Sequence, residues 1–236
     1  AFENLKQYAI AIKYLKKACE LEPFNLTVLY DLGYYYERIH NFSASVDFYN
    51  KYLDADPFSE NVWYNLGVIY YKINKPDRAL QAYDYAIAIN PSYASAYFNK
   101  ANIYANENNY IKAIKVYNDF IEVDPDNLQA WCYLGECYEE TGNYGKALEI
   151  YKKVIEIDNT YSDGWFGAGI SLMYQERLKE AASYVLKAID FERDNTEYWF
   201  TLGEVYEKMG FTREARKCYK HVTSMDKSDR EAWIRL

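Results

Sequence analysis

The chain has 236 residues, half of them apolar and 26% charged, with 35 acidic against 27 basic side chains and a formal net charge of −8. That length and apolar content suffice for a sizeable core, and the acid excess argues against nucleic acid as the main partner. No stretch of about 18 uninterrupted apolar residues occurs, so no membrane span is expected.

Residues 1–25 read as a helix that completes a unit begun upstream, with Ala11 as its small packing residue and Pro23 as its end. The next units repeat that grammar, most plainly over Asn61–Pro91. Trp63, Leu66, Gly67 and Tyr70 share one helix face; Ala79, Tyr83 and Ala86 share another; a break at Asn74-Lys75-Pro76 separates them. A helical hairpin results, and it recurs every 34 residues. All five tryptophans fall in one column, Leu29, Trp63, Tyr97, Trp131, Trp165, Trp199 and Trp233. Four residues on lies a small column, Gly33, Gly67, Ala101, Gly135, Gly169 and Gly203, which lets two helix backbones approach. Ala11, Ser45, Ala79, Ala113, Ala147, Ala181 and Ala215 do the same for the second helix. Pro23, Pro57, Pro91 and Pro125 mark the joints between units, because proline cannot continue a helix. The hairpin turns carry His40, Asn74, Asn108, Gly142, Glu176 and Gly210; all but Glu176 are types that tolerate a left-handed backbone.

The strings WYNLGVIY at Trp63–Tyr70, WCYLGECY at Trp131–Tyr138 and WFTLGEVY at Trp199–Tyr206, each followed by the small-aromatic-small pattern, resemble the tetratricopeptide repeat family. The resemblance covers essentially the whole chain as a single array. It has a partial repeat at 1–25, full repeats at 26–59, 60–93, 94–127, 128–161, 162–195 and 196–229, and the start of another at 230–236. It implies an all-α right-handed superhelical solenoid of antiparallel helix pairs, whose first helices line a concave groove. It also implies a protein–protein interaction scaffold rather than an enzyme. The carboxylate clamp of chaperone-binding members is absent, since no whole repeat has the required lysine at its fifth position. No capping helix is visible beyond Leu236, so a fragment of a larger protein is expected, with apolar ends open to self-association.

Facing away from the small columns, one column reads Tyr30, Tyr64, Phe98, Cys132, Phe166 and Phe200, and its neighbour begins Asp31, Asn65, Asn99 and Tyr133. Asn99, Asn102 and Asn106 place three amides one turn apart, suited to the backbone of a bound peptide. Two readings stand for the rings: groove lining, or packing against the adjacent second helix. Groove positions hold nine acids against three bases, with Glu136, Glu139 and Glu140 densest and Glu204 and Glu207 further on. Lysines such as Lys112, Lys115, Lys146, Lys152 and Lys153 sit on second helices, facing outward. A protein or peptide partner with a basic segment is expected, steered by the local field; solvated carboxylates without a partner are the other reading. Gly167 either opens a notch for a ligand side chain or reflects relaxed packing.

Cys19, Cys132, Cys137 and Cys218 show no CxxC spacing and read as reduced thiols, which leans towards a cytoplasmic compartment. With two histidines far apart and no nucleophile–base pair or phosphate loop, no metal, cofactor or catalytic residue is expected. The alternative function is a regulatory or substrate-recruiting arm of a larger enzyme.

Overall fold

The computed structural model describes residues 2–236, with side chains from Gln7 onward. Among these the secondary structure is helical throughout. α1 (Phe2–Leu21) is followed by first helices α2 (Leu26–Arg38), α4 (Glu60–Lys72), α6 (Ala94–Asn106), α8 (Leu128–Glu140), α10 (Ser162–Tyr174), α12 (Thr196–Lys208) and α14 (Arg230–Arg235). They alternate with second helices α3 (Phe42–Ala55), α5 (Pro76–Ile89), α7 (Tyr110–Val123), α9 (Tyr144–Ile157), α11 (Leu178–Phe191) and α13 (Thr212–Met225). Each class of helix starts every 34 residues. The chain forms two compact units, one up to Ile103 and one from Tyr104 to Leu236, dividing inside α6.

Local chemistry fixes the ends. The side chains of Asn25, Asn41, Asn109, Asn127, Asn143, Asn195 and Asp229 accept from backbone amides of the first helical turn, satisfying donors that would otherwise lack partners. α5 instead begins with proline, whose missing N–H is no loss at that position. All six hairpin turns adopt a left-handed residue: His40, Asn74, Asn108 and Glu176 at φ 57–60°, Gly142 at 72° and Gly210 at 77°. Glu176 therefore follows the geometry of its column despite its side chain, at a cost of about 1 kcal/mol. The joints between repeats are held by a device missed in the sequence. Asp56, Asn90, Asp158 and Asp226 close on the amide two residues ahead, at 2.8–3.1 Å.

Within each unit a first helix packs on its own second helix and on the second helix before it; in the second unit α8, α10 and α12 also touch one another in sequence. The glycine column works differently from expectation. A Cβ at Gly67 would lie 2.4 Å from a Tyr83 ring carbon, and at Gly33, Gly135 and Gly203 it would meet Tyr49, Tyr151 and Tyr219 at 2.6 Å. The small residue thus admits a ring from the second helix rather than a neighbouring backbone. At Gly169 the nearest neighbours are instead Val185 Cγ2 at 2.6 Å and backbone atoms of Val185 and Ala181 at 3.3–3.4 Å. Tyr49, Tyr83 and Tyr219 are among the largest fully buried side chains, and Tyr151 is buried. In the second helix Ser45 replaces alanine, and its buried hydroxyl donates to Gly33 O at 2.6 Å.

Trp63, Trp131, Trp165 and Trp199 are half-buried latches, and Trp233 is an exposed one. Nε1–H of Trp63, Trp131, Trp165, Trp199 and Trp233 donates to the carbonyl six residues earlier, at 2.8–3.1 Å, tying each first helix to the joint before it. The rings of Trp63, Trp165 and Trp199 lie on the second helix of the same repeat, against Tyr85, Tyr184 and His221 (4.4, 5.2 and 4.3 Å between centroids). Lys100 buries its stem, and its ammonium reaches Asp84 at 2.5 Å rather than open solvent.

Candidate binding site

In the first unit the groove residues are largely engaged with each other. Asn65 Nδ2 donates to Tyr30 OH and Tyr49 OH, both at 3.2 Å, and Asn99 Nδ2 donates to Tyr64 OH at 3.1 Å. Asn99, one of the amides expected to meet a peptide backbone, and its column neighbour Asn65 therefore spend amide protons on phenols of the preceding repeat. Tyr30 and Tyr64 pack edge or tilted on the second-helix tyrosines, Tyr49 and Tyr83, at 5.8 Å, so the packing reading of this column holds for them. Burial pushes the phenols of Tyr49 and Tyr83 upward, keeping both protonated. Asp31 is half-buried beside α1, lining a small cleft with Tyr14 and Tyr35. Phe98 and Asn102 are half-buried on α6, where Asn106 is exposed.

The second unit gathers several predicted residues around one cavity of about 440 Å³. α8 contributes Cys132, Tyr133, Glu136 and Glu139; α10 contributes Asp163, Phe166 and Gly167; α12 contributes Glu197 and Tyr198; Tyr151 reaches in from α9. Glu139 is anchored, with Ser171 Oγ donating to it at 2.7 Å and Tyr151 OH at 3.3 Å, and burial still lifts its pKa to about 7. Glu136 keeps solvent on its outer side, yet the cavity walls strip enough water from its carboxyl to push its pKa up to about 7. Asp163, Glu197 and Glu140 add to the rise. Asp163 accepts from Tyr198 OH at 2.7 Å. No lining side chain is a cation. Burial, together with Asp163 and Glu136, also raises the Cys132 thiol and keeps it protonated.

Three expectations change here. Gly167 does not open a notch of its own, because a Cβ there would sit 2.3 Å from two carbons of the Tyr151 ring, which fills that space from the preceding repeat. Glu140 stands outside the cavity, beside Tyr110 of α7, so the acidic cluster is Glu136 and Glu139 with Asp163 and Glu197. The acid of the groove is also not free throughout. Glu37 pairs with Lys72 at 2.8 Å; Arg235 bonds Glu207 at 2.6 Å and lies 3.5 Å from Glu204. Phe166 is buried against Tyr198 (4.5 Å between centroids), and Phe200 packs on Tyr219 (5.3 Å). The lysines of the second helices are exposed as expected. Among the described residues no helix is long and apolar enough to cross a membrane.

Models described as tetratricopeptide repeat match residues 1–60, 60–93 and 82–115, and one described as the cilia and flagella-associated protein 70 middle TPR-like domain matches 101–226. The chain belongs to the tetratricopeptide repeat family. Among solved structures it is similar to the C-terminal part of a TPR repeat-containing protein from Cytophaga hutchinsonii. That match has 18% identity and a TM-score of 0.83, covering 100% of this chain and 96% of that one. YrrB, a TPR protein described as having an unusual peptide-binding site, matches with 18% identity and a TM-score of 0.64, covering 79% and 96% of the two chains. MamA matches with 28% identity and a TM-score of 0.61, covering 66% and 92%. No curated protein matches. As a member of the tetratricopeptide repeat family, the chain is a protein–protein interaction scaffold.

Sequence reasoning counted Asp163 among the groove acids but missed Tyr198, Tyr161 and Tyr151 as cavity residues. Asp163 was legible, since it falls one turn before Gly167 on the groove face. Tyr151 was not, because a second-helix ring reaches the groove only by passing between two first-helix glycines, Gly135 and Gly167.

Proposed function

We propose that the second unit binds a basic segment of a partner protein at the cavity among α8, α10 and α12, and that the chain recruits rather than catalyses. The supporting observation is electrostatic: Glu136, Asp163 and Glu197 face one another with no cation among the lining side chains. Like charges held together raise the cost of keeping one another ionised, and an incoming cation relieves that repulsion. Aromatic walls from Tyr133, Tyr161 and Phe166 give the aliphatic part of a basic side chain an apolar surface. YrrB, of similar fold, is itself described as peptide-binding, which favours a peptide in this chain too.

The test is a titration with a lysine- and arginine-rich peptide from about 0.05 to 0.3 M salt, across which the Debye length shrinks severalfold. Affinity is expected to fall steadily with salt and to weaken in Glu136→Gln and Glu197→Gln variants. Affinity indifferent to salt and to both substitutions refutes the reading. A second observation supports self-association: Trp233 and Ile234 of α14 are 55% and 82% exposed. Analytical ultracentrifugation of Ile234→Lys beside the unaltered chain tests it, with identical sedimentation refuting a role for α14.

A further inference from the structure

Two acidic sites of the second unit occupy equivalent places in the repeat, and only one of them holds its own cation. Glu136, Glu139, Tyr151, Asp163 and Gly167 each have a counterpart two repeats later: Glu204, Glu207, Tyr219, Glu231 and Arg235. At the later site the guanidinium of Arg235 bonds Glu207 Oε2 at 2.6 Å and lies 3.5 Å from both Glu204 and Glu231, over the Phe200 ring at 6.0 Å. That is a planar fork satisfying carboxylates on several sides while stacking on an aromatic face. At the earlier site the carboxylates and the tyrosine recur, but Gly167 brings no side chain, and a cavity of about 440 Å³ lies against it.

We propose that this cavity takes an arginine side chain supplied by the partner, which does there what Arg235 does within the chain. The proposal rests on the basic-segment reading and narrows it to one residue type. Arginine is favoured over lysine because the acceptors lie on two elements, Glu136 on α8 and Asp163 on α10, with Glu197 on α12 beyond them. A five-donor fork spans such a set, whereas an ammonium is a compact, strongly hydrated point charge. Glu139, already taking donors from Ser171 and Tyr151, shapes the floor rather than the main contact. The sites differ in their aromatic contact as well. Cys132 stands where Phe200 does, so the stacking surface is supplied by Phe166 and Tyr161, which also line the cavity. The two sites also differ electrostatically as expected. Arg235 pulls the Glu204 carboxyl back down against burial, and Glu136 has no such counterweight.

The test is an NMR titration followed at the Gly167 amide, using a short capped alanine peptide with a single central arginine and its lysine and citrulline counterparts. Saturable shifts at Gly167 are expected for arginine, with affinity about tenfold lower for lysine. No saturation is expected for citrulline, which keeps the shape without the charge. The Glu136→Gln/Asp163→Asn double variant should lose the arginine response while its far-ultraviolet dichroism is unchanged. If that variant does not fold, the citrulline comparison on the unaltered chain still decides. Equal binding of lysine and arginine overturns the arginine assignment and leaves the basic-segment reading standing. Salt-sensitive binding of the longer basic peptide without any single-arginine response at Gly167 likewise overturns it, by placing the ligand elsewhere.

Discussion

Replacing Gly167 by alanine adds one methyl group at a point where two rules of helix energetics point in opposite directions. As a mid-helix substitution it should stabilise α10 by about 1 kcal/mol, since glycine is the poorer helix former. The new Cβ would stand 2.3 Å from Cε1 and Cζ of Tyr151, against an ordinary separation of about 3.5–4.0 Å. The ring has nowhere to retreat, because on its other side a Cβ at Gly135 would already lie 2.6 Å from the same Cζ. Overpacking of this kind costs about 1–3 kcal/mol, and moving the phenol off Glu139 adds about 1 kcal/mol. The net expectation is destabilisation by about 2 kcal/mol, or about 4–8 °C in melting temperature. Urea unfolding followed by indole fluorescence suits the question, because Trp131, Trp165, Trp199 and Trp233 all lie in the affected unit. In a Tyr151→Val background, which imitates the Gly169–Val185 pair, the same substitution should become neutral or stabilising. Stabilisation by about 1 kcal/mol in the unaltered background refutes the ring contact, since propensity alone would then account for the result.

Because the folded state raises Glu139 to about 7, above the ordinary carboxylate value, it binds that proton more tightly than the unfolded chain does. This contribution to stability is fully present below about pH 4.5 and is lost as pH rises through about 7. Glu139→Gln should accordingly gain stability relative to the unaltered chain between pH 5 and pH 8; parallel urea midpoints across that range would disprove it. Trp131→Phe removes the bond to Pro125 O at 2.8 Å and should cost about 0.5–1.5 kcal/mol, with faster amide exchange at the preceding joint. Unchanged exchange there would show that the indole does not latch it. Asn65→Ala strips a donor from both Tyr30 and Tyr49 and should cost about 1–2 kcal/mol in the first unit; a loss of similar size in Tyr49→Phe, without additivity in the double variant, confirms a shared bond.

Helix phase and turn geometry were legible because they depend on neighbours in sequence. The recurrence of Trp63, Gly67 and Ala79 sets helix faces, and even Glu176 adopts the left-handed backbone of its column. What the glycine column accommodates was not legible. A small residue states that something comes close, and only coordinates distinguish a backbone from the Tyr83 ring. The acidic character of the groove was readable as a tally of side chains, but its distribution was not. Lys72 and Arg235 quench Glu37, Glu204 and Glu207 from adjoining repeats, whereas no cationic side chain lines the cavity that holds Glu136, Asp163 and Glu197. The hydrogen bonds of Asn65 and Asn99 were not legible either, since the phenols that take their amide protons come from the repeat before.

Tyr49, Tyr83, Tyr151 and Tyr219 are rooted in second helices, buried, and threaded past first-helix glycines. Such residues double as native optical and magnetic probes. A molecule settling over Glu139 alters the surroundings of the Tyr151 oxygen without touching the ring, so ultraviolet difference spectra or ring-selective isotope labels should register occupancy with no foreign dye attached.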